Sequence, residues 1–327
     1  MTVIGNTKIQ DSFLKRWVLL LISGLLVAVT FGTSFAMLQD QKTFASPDEA
    51  VKAMLEALKA EDVKVLSAIF GPGSEDLISS GDPVADKAER ERFINLYQQK
   101  NRLEEASSTR AALYIGNEDW PFPIPVVKKD GVWLFDTDEG REEIIARRIG
   151  RNELSVIQVC LAYVDAQKEY AIKDRDGDGV LAYAQKFSSE PGKKDGLYWK
   201  AKEGDEQSPL GFLVAAAQGT GYTGKQSGGK PLPYHGYYYR ILKAQGKDAT
   251  GGAYDYIIKG KMIGGFALVA YPAQYDSSGI MTFIVNHAGE VYQKDLGEKT
   301  EETVLMMQLF NPDNTWSKVE GRVAKGK

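Results

Sequence analysis

The segment Asp174-Arg-Asp176-Gly-Asp178-Gly179-Val180-Leu181 carries three carboxylates at alternate positions, with glycine after the second and the third. This spacing fits the first eight places of an EF-hand-type calcium loop. Carboxylates at places 1, 3 and 5 point into one concavity, and glycine at place 6 permits the sharp turn. The carbonyl at place 7, here that of Val180, faces the ion. Place 12, where the pattern has a bidentate glutamate, is Gln185, a neutral and weaker ligand. The ligand set is therefore Asp174, Asp176, Asp178, Val180 and Gln185, the ion is calcium, and its role is structural. Three carboxylates in one turn repel one another unless a cation neutralises them. The same residues also suit another hard cation, or an Asp/Gly turn that binds nothing.

Periodicity shows which elements would position this loop. Residues 161–172 give a helical apolar pattern entering it, and 181–187 predict the leaving helix. The entering segment belongs to a longer helical stretch over 140–173, with a break expected near Gly150. Upstream, 44–70 predicts a helix. Ser46 is the N-cap with Glu49 three residues on, Pro47 takes the first helical position, and Val51, Met54, Leu55 and Leu58 form one stripe. Gly71-Pro72-Gly73 stops that run. A second helix is expected over 86–103. Strands are expected over 109–115, 124–128 and 132–136, with Asp130-Gly131 as a hairpin turn between the last two. Trp120-Pro-Phe-Pro-Ile-Pro125 is poor in N–H donors and suits a sheet edge. Further strands are expected over 237–243, 254–259, 266–271, 281–286 and 290–294, the last two joined through Gly289.

The predicted fold class is α+β. N-terminal helices and a small antiparallel sheet, loosely similar in shape to cystatin-like or nuclear-transport-factor-like folds, precede a long central helix with the EF-hand-like loop. An antiparallel β-rich part completes the chain. Residues 42–150 would form the N-terminal domain, and 151–327 the helix, loop and β-rich domain.

Several motifs match in letters and fail in context. Gly219-Thr-Gly221-Tyr-Thr-Gly224 followed by Lys225 imitates a dinucleotide or phosphate loop. The next residues, Gln226-Ser-Gly-Gly-Lys-Pro231, cannot open the helix whose N-terminus would hold a phosphate. Ser227 and Lys230 match S-x-x-K, but two glycines before a proline keep them off one helical face. His235 and His287 are the only histidines, too far apart in sequence for H-E-x-x-H. Cys160, the single cysteine, excludes an intramolecular disulfide and reads as a small buried hydrophobe. Asp136, Asp138, Glu139, Glu142 and Glu143 cluster at a strand-to-helix step, where the helix dipole favours them and where paired carboxylates could also hydrolyse a glycoside. Tyr234-His235-Gly-Tyr237-Tyr238-Tyr239-Arg240 could present a stacking face, although alternation on a strand would turn half of it inward.

The N-terminus bears on location. Lys15-Arg16 precede an uncharged apolar stretch from Trp17 to Leu38, and Ser34-Phe35-Ala36 offers a small-x-Ala cleavage site. Residues 1–36 are thus a signal peptide or membrane anchor. Residues 17–38 suffice to span a bilayer if uncut, with everything after Leu38 delivered outside. The rest has no dense basic run: without residues 1–36 the chain holds 37 basic against 43 acidic residues. A nucleic-acid footprint is therefore missing.

The chain also resembles a bacterial exported family known as domain of unknown function 2950. The residues that carry the likeness include Trp120-Pro-Phe-Pro-Ile-Pro125, Cys160-Leu-Ala-Tyr-Val-Asp-Ala-Gln167, Asp176-Gly-Asp-Gly179, Pro191-Gly-Lys-Lys-Asp-Gly-Leu-Tyr-Trp199 and Gly264-Gly-Phe-Ala-Leu-Val-Ala-Tyr-Pro272. The resemblance implies export and a single composite unit, with no activity to transfer. The expectation is an exported, non-enzymatic cell-envelope or secreted protein, periplasmic or tethered to the inner membrane by an uncleaved N-terminus. Its partners would be an envelope protein, not nucleic acid or nucleotide. The alternative is a periplasmic hydrolase acting on glycans or peptides.

Overall fold

A computed structural model of the chain describes residues 41–202, 204–219 and 232–320. The expected export segment, the glycine motif after Gly219 and the Ser227/Lys230 pair lie outside the described residues.

The N-terminal part comprises α1 (Pro47–Lys59), α2 (Val63–Phe70), α3 (Glu75–Ile78) and α4 (Pro83–Gln99), then β1 (Asn101–Ser107), β2 (Arg110–Ile115), β3 (Trp120–Pro121), β4 (Val126–Lys129) and β5 (Val132–Phe135). The cap of α1 forms as expected: Ser46 Oγ accepts the Glu49 N–H at 3.1 Å, and the Glu49 carboxylate accepts the Ala45 N–H. The single helix expected over 44–70 is two helices. Glu61 adopts a left-handed φ of 52°, and Asp62 recaps the chain by accepting the Val65 N–H. The second expected helix starts earlier, because Asp82 caps it and Pro83 suits its first turn. It also ends earlier, and 101–103 belong to β1. The small sheet is antiparallel in the order β1-β2-β4-β5, with β3 beside β2. Asp130 and Gly131 both take positive φ in the β4–β5 turn, as the hairpin signal requires. Met54, Leu66, Ile69, Leu113, Ile115 and Phe135 are buried between helices and sheet.

Helix α5 (Thr137–Tyr170) runs for 34 residues, roughly 51 Å, without the break expected at Gly150. A Cβ on Gly150 would meet nothing within 4 Å, whereas one on Gly140 would lie 2.5 Å from the Pro123 backbone. Glycine is therefore needed where the helix starts against the 123–124 chain, not in mid-helix. Residue 150, the expected boundary, lies inside this helix, and the described residues belong to one compact unit.

After an irregular stretch come α6 (Gly211–Gly219), β6 (Tyr237–Leu242), β7 (Ala244–Gln245), β8 (Tyr254–Asp255), β9 (Ile257–Ile258), β10 (Lys261–Met262), β11 (Ala267–Pro272), β12 (Met281–Asn286), β13 (Val291–Asp295), α7 (Thr300–Met306) and β14 (Ser317–Lys318). The C-terminal sheet also has five strands and is antiparallel, ordered β14-β13-β12-β11-β6, and α5 packs on it. Strand β11 is buried at all six positions, so it reads as a continuous apolar run. Val156, Cys160, Tyr163 and Val164 of α5 join Phe266, Leu268, Phe283 and Ile284 in this second core. Each such valine, leucine, isoleucine or phenylalanine side chain contributes about 1.5–3 kcal/mol by leaving water. Cys160 is fully buried, as expected, and burial pushes its thiol up to about 12. None of the described helices is long and apolar enough to cross a membrane.

Candidate functional site

The aspartate loop leaves the C-terminus of α5. Asp174 organises it: Oδ1 accepts the N–H groups of Asp176 and Gly177, and Oδ2 accepts that of Gly179 at 2.7 Å. Gly177 and Gly179 take φ of 76° and 85°, which only glycine adopts without strain. The expected leading carboxylates do converge. Oxygens of Asp174, Asp176 and Asp178 lie within 4.8 Å of one another, and all three residues are exposed.

The structure adds a residue that no local pattern announces. Lys261, on β10, places its Nζ 2.8 Å from both oxygens of Asp176 and bonds Asp178 as well. This ammonium, through its hydrogen bond to Asp176 first, has its own pKa raised. Asp178 is held below the usual carboxylate range chiefly by Lys261, and Asp174 chiefly by the Gly179 N–H. An 85-residue separation in sequence hid the pairing.

The back half of the loop departs from the expected helix–loop–helix. Residues 181–187 are not helical. The Gln167 side chain faces Ala184 like a neighbouring strand: its carbonyl accepts the Ala184 N–H and its amide donates to the Ala184 carbonyl, each at 2.8 Å. Tyr183 pairs with Met262, and Gln185 donates its side-chain amide to the Gly260 carbonyl at 2.7 Å. These bonds hold 183–185 extended and spend the side chain at place 12 on the β9–β10 turn. Val180, at place 7, donates its N–H to Asp178.

The other candidate groups are placed differently. Asp136 pairs with Lys129, Glu139 with Arg110 and Glu143 with Arg147, so these three carboxylates each face a separate cation. Arg110 also holds Glu139 below its usual range. Asp138 and Glu142 are exposed on the first turns of α5. In the tyrosine segment, Tyr237 is fully buried and donates its hydroxyl to the Met281 carbonyl, while Tyr238 and Tyr239 are half-buried. Tyr238, Tyr239 and Arg240 border a groove of about 350 Å³, and Arg240 donates to the Val304 and Met307 carbonyls at the end of α7.

Helices and two five-stranded antiparallel sheets, the C-terminal one packed on a long helix with an aspartate loop beyond its end, define an α+β protein of composite architecture. The chain belongs to the family described as protein of unknown function, DUF2950, whose model matches residues 41–319. No curated protein and no solved structure compared with the chain matches it.

Proposed function

We propose that the protein is an exported, non-enzymatic cell-envelope or secreted protein in which the aspartate loop holds a structural calcium ion. The observation that carries the calcium reading is the approach of three carboxylate oxygens to within 4.8 Å of one another on an exposed loop. Asp174, Asp176 and Asp178 supply charge, and the Val180 carbonyl a fourth oxygen. Gln185 joins only by leaving Gly260. Lys261 competes for this place, because its ammonium already pairs with two of the carboxylates. Calcium arriving there displaces an ammonium and gains a second unit of charge against the same carboxylates.

Export is supported by the Lys15–Ala36 pattern, with release at Ala36 or tethering through 17–38 as its two outcomes. Outside the cytoplasm a weak site is useful, since extracellular calcium modules work at roughly 10⁻⁴–10⁻³ M. Separate pairing of the acidic residues at the start of α5 supports a non-enzymatic role over glycoside hydrolysis. The test is calorimetric titration of the mature protein with calcium, together with melting in calcium and in chelator. Saturable binding near roughly 10⁻³ M with a raised melting temperature is expected. A flat titration with superimposed melting curves would sink the calcium reading. N-terminal sequencing of protein recovered from the periplasm and the medium tests export and cleavage.

A further inference from the structure

Lys173 and Arg175 flank Asp174, yet both turn to a different carboxylate. Lys173 Nζ lies 2.7 Å and Arg175 Nη1 3.2 Å from Oε1 of Glu206, and Lys194 Nζ lies 2.8 Å from Oε2. Three cations thus converge on one anion. Arg175 is fixed there: its side chain is only 9% exposed, its Nε donates to the Tyr170 carbonyl, and its guanidinium stacks 4.6 Å and 4.9 Å from the Tyr170 and Trp199 ring centres. Trp199 in turn donates its indole N–H to the Glu206 carbonyl at 3.0 Å. The same three cations keep Glu206 ionised, down to about 2, so the local excess of positive charge persists at every physiological pH.

Lys194, Trp199 and Glu206 of this cluster line a cavity of about 540 Å³ together with Ser188, Tyr198 and Lys200. Its remaining charged groups are engaged elsewhere: Lys193 pairs with Glu190, and Asp205 accepts the Lys202 N–H. Lys194 gives one N–H to Glu206 and keeps others to offer. Lys200, exposed in the wall, makes no ion pair among the described residues. The volume lies within the roughly 300–1,000 Å³ typical of ligand pockets and far exceeds what a bare ion fills. The Ser189 hydroxyl is spent on Gly196, donating to its carbonyl and accepting its N–H. The Ser188 hydroxyl and the Tyr198 ring beside ammonium groups suit a hydroxylated body carrying a negative group.

We propose that this cavity binds a monosaccharide-sized ligand bearing a carboxylate or phosphate, with the oxyanion on Lys194 and Lys200 and a hydroxyl toward Ser188. Glu206 then acts as an internal anion that competes for the same cations. The proposal is independent of the calcium reading, because it uses none of the aspartate-loop carboxylates.

The test follows the Trp199 indole N–H resonance of the mature protein during titration with glucuronate, glucose 6-phosphate, inorganic phosphate and glucose, at ionic strength fixed with sodium chloride. Saturable shifts with glucuronate or glucose 6-phosphate, and none with glucose, are expected; which of the two binds tighter identifies the oxyanion. Lys200→Ala, which removes no interior contact, should weaken binding about tenfold, and Glu206→Gln should tighten it several-fold. Melting curves of both variants report their folding. No shift with either acidic sugar, shifts reproduced by chloride or bare phosphate, or affinity untouched by Lys200→Ala overturns the proposal.

Discussion

Where the N-cap of α4 and the middle of α5 meet the C-terminal sheet, carboxylates accept from peptide N–H groups; in the aspartate loop two of them share a lysine. Asp82 is fully buried, with Oδ1 accepting from Val84 and Ala85 and Oδ2 from Gly236 at 2.9 Å. Glu153 Oε1 accepts the N–H groups of Ile280 and Met281. Nearby, Asn152 donates to the Ser278 carbonyl, and Arg148 donates to the carbonyls of Asp76 and Leu77. Peptide donors are fixed to the backbone and withdraw only if the chain itself moves. Lys261 stands on a four-carbon stem and can withdraw alone. The first arrangement therefore fastens two parts of the chain, and the second leaves a charge open to exchange. Equal acidity in sequence gives opposite uses, decided by what the partner can do.

The largest effects should fall on the fastened carboxylates. Asp82→Ala removes the cap of α4 and leaves the Gly236 N–H buried without that partner, together costing about 3 kcal/mol. Glu153→Ala strands two peptide donors in a half-buried place and should cost about 2 kcal/mol. Urea unfolding measures both. Losses under about 0.5 kcal/mol, the range of an ordinary surface substitution, would dissolve the contrast with the loop.

Substituting the exchangeable partner should change binding more than folding. Lys261→Met leaves the three loop carboxylates without their ammonium, so calcium no longer has to displace it. Calcium affinity should rise about tenfold, while the calcium-free variant melts close to the parent. Asp176→Asn should act in the opposite direction and weaken binding by a similar factor. Calorimetry on the two variants decides the matter: unchanged affinity in Lys261→Met would mean that calcium and the ammonium do not compete.

Local rules account for what the chain discloses before folding, and long-range bonds for what it conceals. The Ser46–Glu49 cap, the Asp130-Gly131 turn and the β12–β13 hairpin depend on neighbours a few residues away and are legible; so is the burial of Cys160, through the apolar helical pattern around it, although its core partners are distant. The convergence of Asp174, Asp176 and Asp178 is legible too, because one turn contains them. The leaving helix expected over 181–187 is lost to Gln167 and Met262, which hold those residues extended from other elements. The split between α1 and α2 had a local signal, Asp62 as a second cap, masked by the continuing apolar stripe. Lys261 and the triple pairing of Glu206 carried no local signal at all. An ion pair leaves no periodicity, and in each the key contact crosses an irregular stretch.

The smallest effect is the response to acid, and it separates the two kinds of support inside the loop itself. Asp174 is held down mainly by a peptide N–H, and Asp178 mainly by Lys261. Both folded pKa values are depressed, so the stability they contribute is present above their unfolded values near about pH 4 and lost as pH falls through the lower folded values. Calcium affinity should stay level from neutrality to about pH 5 and drop only below about pH 4. In Lys261→Met the Asp178 carboxyl loses its chief partner while Asp174 keeps the Gly179 N–H. NMR titration of side-chain carboxyls in the calcium-free protein should then find Asp178 shifted upward and Asp174 nearly unmoved. If instead both move together, the ammonium sets the field of the whole loop, and the peptide bonds around Asp174 do not protect it.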